Sequence, residues 1–207
     1  MMKRKATRIF LRGFLAALML SAVLAGAASA APAWKFNGEE LTSPEKVVGA
    51  AEKSGLTIPG MTTTCENFLY TIVVSNKSGT GEGSITELPL YNCTTNTKCT
   101  VVAIAAEKLP WVANLSTIST KNYIVIKGIK VSILYGGKLC AINGVTAEVT
   151  GSAGGWLDNT TESATFSPTT FSTTKTELRM LENTVEWNGF FPTEAFEWHR
   201  EQALSVS

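Results

Sequence analysis

Tyr123-Ile124-Val125-Ile126-Lys127-Gly128-Ile129-Lys130-Val131-Ser132-Ile133-Leu134-Tyr135 is the stretch on which the fold turns. Ile124 and Ile126 recur two residues apart, as do Ile129, Val131 and Ile133, with Lys127 and Lys130 interspersed. Successive side chains of an extended chain point to opposite faces, so this spacing builds one apolar face of a strand. Branching at Cβ adds to the preference, because valine and isoleucine fit a pleated surface better than a helix. Gly128 stands between the two alternating halves, which predicts a bulge or bend there.

The surrounding chain has the same character. Val145 to Val149 alternates as Val-Thr-Ala-Glu-Val, and Thr100 to Ala106 is a short apolar run. Leu69 to Ser75 reads as a strand that turns through residues 76–83 into a second one, Ser84 to Tyr91. Ala164 to Phe166, Leu178 to Trp187 and Phe190 to Arg200 are further candidates. Near the start, Trp34-Lys35-Phe36 and Glu39-Glu40-Leu41 flank Asn37-Gly38, the dipeptide that most favours a tight hairpin. The chain has no internal repeat or long linker. Many short strands at hairpin spacing predict an all-β fold, a single antiparallel sandwich or barrel with at most one or two short helices.

One stretch dissents. Residues 43–55 open with Ser43 as a helix cap and Pro44 at the first helical position, and close with Gly55. That pattern predicts a short helix, although Gly49 interrupts it. Glu194 to Leu204 is ambiguous, with good helix formers in which Phe196, Trp198 and Arg200 alternate with Glu197, His199 and Glu201.

The N-terminus carries an address. Lys3, Arg4, Lys5, Arg8 and Arg12 precede the apolar run Phe14 to Leu24, and Ala28-Ser29-Ala30 follows. A basic start, a short apolar core and a small-x-small site define a secretory signal peptide, here residues 1–30. The apolar core is shorter than the roughly 18 to 20 residues that span a bilayer. No lipid-anchoring cysteine follows it. The expected product is residues 31–207, a single secreted or cell-surface β-domain without a transmembrane span. Loss of five basic residues leaves thirteen Lys and Arg against seventeen Asp and Glu, a net charge of −4. A mildly acidic domain without a basic stripe is a poor partner for nucleic acid.

Cys65, Cys93, Cys99 and Cys140 all lie beyond the leader. An even number in an exported chain reads as a disulfide framework. The spacing lacks paired zinc knuckles and His199 is the sole histidine, so no metal site or cofactor is expected. Cys93–Cys99 across a short loop, with Cys65–Cys140 as the long bridge, is the preferred pairing. Cys65–Cys93 with Cys99–Cys140 is the next. Threonine and serine are abundant, which suits a sheet whose solvent face is polar without being charged.

Asn92-Cys93, Cys99, the segment Glu107-Lys108-Leu109-Pro110-Trp111 and the later Cys140 resemble a class of small exported β-rich proteins of actinobacteria. The class shares a signal peptide, an early Trp-x-x-Asn-Gly, matched by Trp34, Asn37 and Gly38, and a Leu-Pro-Trp motif after the cysteine loop. The resemblance spans most of residues 34–170. It implies an all-β exported domain of bacterial origin and brings no catalytic residue with it.

The chemistry-bearing residues are few. Glu197, His199 and Glu201 would share one face of a strand, an arrangement able to orient an imidazole, but no nucleophile elbow accompanies them. A solvated polar face near a chain end is the plainer account. Carboxylate pairs such as Glu39-Glu40 and Glu194/Glu197 lack diagnostic spacing for glycoside hydrolysis. Aromatic platforms remain. Of Trp34, Trp111, Trp156, Trp187 and Trp198, Trp156 follows Gly154-Gly155 and is expected beside a turn, exposed. Trp111 follows Pro110, which favours an edge or loop. The glycine-rich runs 79–83 and 151–155 read as flexible loops, without the lysine and helix of a phosphate cradle. Asn76, Asn92, Asn114 and Asn159 begin Asn-x-Ser/Thr triplets, by-products of a Thr-rich chain in a bacterial host. The expected function is an exported non-catalytic module, binding an envelope or extracellular ligand or serving a surface-structural role. An extracellular hydrolase using glutamates near His199 is the alternative.

Overall fold

The computed structural model describes residues 31–118, 120–160, 163–166, 178–180, 183–192 and 204–207. They form strands β1 (Trp34–Phe36), β2 (Glu39–Glu40), β3 (Glu45–Ile58), β4 (Met61–Ser75), β5 (Glu82–Glu87), β6 (Thr94–Thr95) and β7 (Thr100–Ala106). Then come β8 (Trp111–Ile118), β9 (Lys121–Gly136), β10 (Thr146–Asp158), β11 (Ser163–Phe166), β12 (Leu178–Met180), β13 (Asn183–Pro192) and β14 (Leu204–Val206). Every pairing is antiparallel, and the described residues contain no helix. The fold is all-β, of the sandwich kind. Residues 31–207 form one compact unit.

β9 organises the large sheet. Its first half pairs with β8, its second half with β7, and β10 runs along both. Gly151 pairs with Ile129 and Ser152 with Lys127, so Gly128 is left out of the ladder as a bulge, at φ +73°. That bulge has a purpose in packing. Ile124 and Ile126 face the main core before it, and Ile129, Val131, Ile133 and Tyr135 face the same core after it. Even positions would otherwise point opposite to odd ones, and one unpaired residue restores a common face.

The order of the large sheet is β11-β10-β12-β13-β3-β4-β5-β8-β9-β7, with β6 on β4 and further pairings of β10 with β9 and β11 with β13. Its β3–β4 part packs against its β9–β10 part around the core. There the Thr63 and Tyr135 hydroxyls, both buried, meet at 2.7 Å.

A smaller sheet, β14-β1-β2, joins the two ends of the domain. Asn37 and Gly38, at φ 49° and 82°, make the expected tight hairpin between β1 and β2. Trp34 is buried beneath it. Its indole donates to the Glu82 carbonyl at 2.9 Å, and its backbone is clasped at both N–H and C=O by the Asn76 side chain. Asn159 does the same for Val206 of β14, accepting at 3.0 Å and donating at 2.6 Å. Two of the four Asn-x-Ser/Thr asparagines therefore serve as latches for chain ends.

Three sequence expectations are corrected here. Residues 43–55 contribute to a strand, β3, and not a helix. β3 pairs with β4 from Glu45↔Val74 to Ile58↔Met61, burying Val47 and Ala51 while Lys46 and Lys53 stay exposed. Gly49, which costs a helix about 1 kcal/mol, here lies opposite Tyr70, whose ring covers it. A long ladder and an apolar face outweigh a local cap. Residues 151–155 likewise belong to β10, because neighbours on both sides hold the backbone whatever its local preference.

The third correction is the disulfide pairing. The bridges are Cys65–Cys93 and Cys99–Cys140, with Cα atoms 4.0 and 4.5 Å apart, in place of Cys93–Cys99 and Cys65–Cys140. Thr94 and Thr95 pair with Thr64 and Thr63, and Glu66 N–H donates to the Tyr91 carbonyl, which carries Cys93 to Cys65 on β4. Thr100 pairs with Gly136, which carries Cys99 to Cys140 just beyond β9. Closeness in sequence was outranked by the ladders. With separations of 28 and 41 residues, each bridge contributes roughly 3.5 to 4 kcal/mol on the chain-entropy estimate.

Candidate functional site

The first half of β9 is apolar on both faces. Ile124 and Ile126 enter the main core, whereas Tyr123 and Val125 form a second, smaller cluster on the other side, joined by Ile118 and Trp156. Cross-strand register builds this patch. Tyr123 stands between Ser116 of β8 and Trp156 of β10, and Thr165 of β11 follows Trp156 in the same row. One row along, Val125 lies between Asn114 and Gly154, and Gly154 adds no side chain to the surface. Tyr123 and Val125 are buried while Trp156 is half-buried. The Lys121 ammonium sits 4.3 Å from the centre of the Trp156 ring, within cation–π range.

Trp156 is thus a strand residue presented by its neighbours, two residues before the end of β10, and half-buried where its flanks predicted an exposed place beside a turn. Its half-burial is what a platform needs, because the ring is held by Tyr123 without being withdrawn. Asp158, two residues on, accepts a hydrogen bond from Thr160 N–H at 2.9 Å. The patch joins flat apolar area, hydroxyl and amide groups and one cation.

Trp111 goes the other way. It begins β8, which lies between β5 and β9, so it is on no edge. Its ring is 1% exposed and its indole donates to the Glu107 carbonyl at 2.8 Å. Pro110, in a cis peptide, precedes the ladder, where its missing N–H leaves no ladder bond unmade. Trp111 is a core residue and offers nothing to a ligand.

His199, Glu194, Glu197, Glu201 and Trp198 lie outside the described residues. Glu39 and Glu40 are both exposed on β2. Among the described residues no three His, Cys, Asp or Glu side chains converge as metal ligands, and no helix is long and apolar enough to cross a membrane. Glu107 is held below the usual carboxylate range by hydrogen bonds from Ser132 and Lys130. Lys130 is in turn raised by Glu148, at 2.7 Å, and by Glu107, at 3.3 Å. These groups form a surface ion-pair cluster of a structural kind. A cavity of about 20 Å³ between β3–β4 and β9, beside Thr63 and Cys65, has room for about one water and no substrate.

The sequence singles out Trp156 but not its partners Tyr123, Lys121, Ser116 and Asn114. One signal was present: the unbroken apolar run 123–126 implies that both faces of β9 are covered or used. Comparison with known proteins finds no matching family model, no matching curated protein and no matching solved structure.

Proposed function

We propose that residues 31–207 are an exported, non-catalytic binding module whose ligand surface is the Trp156 patch. The observation that carries this is Trp156 itself, half-exposed on a rigid strand, backed by Tyr123 and flanked by polar residues and Lys121. A flat indole face beside hydroxyl and amide groups suits a sugar ring, and the ammonium suits an acidic one. The ligand class we favour is an acidic envelope or extracellular glycan. The two disulfides, the leader-like N-terminus and the resemblance to exported actinobacterial proteins support an extracytoplasmic setting.

Retention of the protein on immobilised envelope and polysaccharide fractions tests this. Trp156→Ala should lower retention about tenfold, in line with the worth of one aromatic anchor. Lys121→Gln should weaken only the retention on acidic fractions. Equal retention of wild type and Trp156→Ala would overturn the assignment. So would release of product from a fraction, lost in His199→Ala or Glu197→Gln, which would establish the hydrolase instead.

A further inference from the structure

Three connections meet at one end of the domain. The β3–β4 hairpin turns at Pro59 and Gly60, the β6–β7 connection runs through Asn96, Thr97 and Lys98, and the β9–β10 connection spans residues 137–145. They are fastened together. Asn96 N–H donates to the Thr62 carbonyl at 3.1 Å, and Thr62 N–H donates to Asn96 Oδ1 at 2.8 Å. A Cβ on Gly137 would lie 3.0 Å from the Lys98 carbonyl, and the Cys99–Cys140 bridge ties the second connection to the third. The third is braced within itself, with Cys140 N–H on the Gly137 carbonyl and Gly144 N–H on that of Tyr135. On this braced end three aliphatic side chains face outward, while Ile58 and Ile142 pack against the core. Leu139 is 77% exposed, Val102, which leans over Gly136, 62%, and Val145 38%.

The chain that carries them is largely basic. Residues 88–147 contain six lysines and one carboxylate, Glu107, in a domain whose net charge is −4. Glu107 is already paired with Lys130, as is Glu148 where the acidic part resumes. Along the segments 54–65, 88–106 and 131–147, which carry these three connections, the charged residues are Lys98 and Lys138, while Glu186 of the neighbouring β13 pairs with Thr57. Lys98 and Lys138 are exposed, on two connections that a disulfide holds side by side. An aliphatic tip whose three connections carry two ammonium groups and no carboxylate matches a layer of anionic headgroups. Leucine and valine can enter the headgroup boundary while lysines stay at the depth of the phosphates.

The geometry points to this end as a docking surface for a bilayer containing anionic phospholipid, with Leu139 entering the headgroup layer and Lys98 and Lys138 at its phosphates. The orientation follows from β10. Trp156 is ten residues along that strand from Thr146, about 30 Å at strand rise, so a docked domain holds the Trp156 patch away from the membrane. The inference is independent of what Trp156 binds.

Co-sedimentation of the protein, in the form in which the cell exports it, with vesicles of mixed phosphatidylglycerol and phosphatidylcholine is the test. Binding should exceed that to pure phosphatidylcholine and weaken with salt. Lys98→Gln and Lys138→Gln should each lower partitioning about fivefold, and Leu139→Asn about tenfold. Val112→Asn, at an exposed apolar position on β8, should change nothing. Equal binding to both vesicle types, or indifference to the Leu139 and lysine substitutions, would overturn the proposal. So would sedimentation showing that Leu139→Asn abolishes a dimer of a protein that ignores lipid, since the surface would then belong to a second copy. Trp156→Ala should leave vesicle binding intact, which separates this result from the glycan test.

Discussion

Thr63 and Tyr135 come from parts of the sheet that pack against each other and share a buried hydrogen bond. Thr63→Val keeps the shape and removes the partner, leaving a buried phenol hydroxyl without a bond. It should cost about 1 to 3 kcal/mol in denaturant unfolding. Combining it with Tyr135→Phe should cost less than the two single changes added, because the orphaned group is then gone. The same tyrosine sets an alkaline limit. Burial raises its ionisation above the ordinary value of 10.0, partly offset by the Thr63 bond. Above about pH 10 the unfolded chain loses this proton before the folded one, so the folded state binds more protons and stability falls as pH rises. The slope from this group is at most about 1.4 kcal/mol per pH unit. Unfolding midpoints measured from pH 8 to 11 should fall at the upper end, and less steeply in Tyr135→Phe.

At the scale of elements, β9 carries the most consequence per residue. Gly128 occupies the left-handed region, which an L side chain enters at a cost of roughly 1 to 2 kcal/mol. Gly128→Ala should show that loss with the fold intact, as nothing stands where its Cβ would go. Deleting Gly128 should be far worse. The deletion would turn Ile129, Val131 and Ile133 to the opposite face from Ile124 and Ile126, and near-ultraviolet circular dichroism should lose its native signal. Legibility also varies by element. β7 and the β1–β2 hairpin were readable because composition and turn chemistry agree with their context. β3, β8 and the second half of β10 were not. Gly49 and Gly154-Gly155 have weak strand preference, and β8 mixes Asn114, Ser116 and Thr117 with its apolar face. Ladders on both sides supply what those residues lack.

The molecule as a whole is closed by its ends. β1 pairs with β2 and β14, Trp34 is latched by Asn76, and Leu204 and Val206 are buried. Deleting residues 204–207 removes two buried aliphatic side chains, each worth about 1.5 to 3 kcal/mol, and uncovers β1. The shortened protein should unfold at clearly lower denaturant, and Trp34→Ala should cost about 3 to 5 kcal/mol. Asn159→Ala, which removes two hydrogen bonds to Val206 and no apolar area, should cost less than either. An equal loss for all three would show that β14 contributes through Asn159 alone.

The period-two pattern, the β-branched composition, the Asn-Gly turn and the even set of cysteines determined an all-β, disulfide-bonded domain without any tertiary knowledge. These are local quantities, set by residues that are neighbours in the chain. Alternation says which side chains share a face, but not which face is inside. It says still less which strand lies alongside. That is why Trp111 and Trp156, both candidates for exposure from their local sequence, are respectively sealed in the core and presented beside Tyr123. It is also why Cys93 and Cys99, six residues apart, are carried to different partners. Strand pairing is a long-range choice made by the burial of both faces at once, and only the tertiary structure decides it.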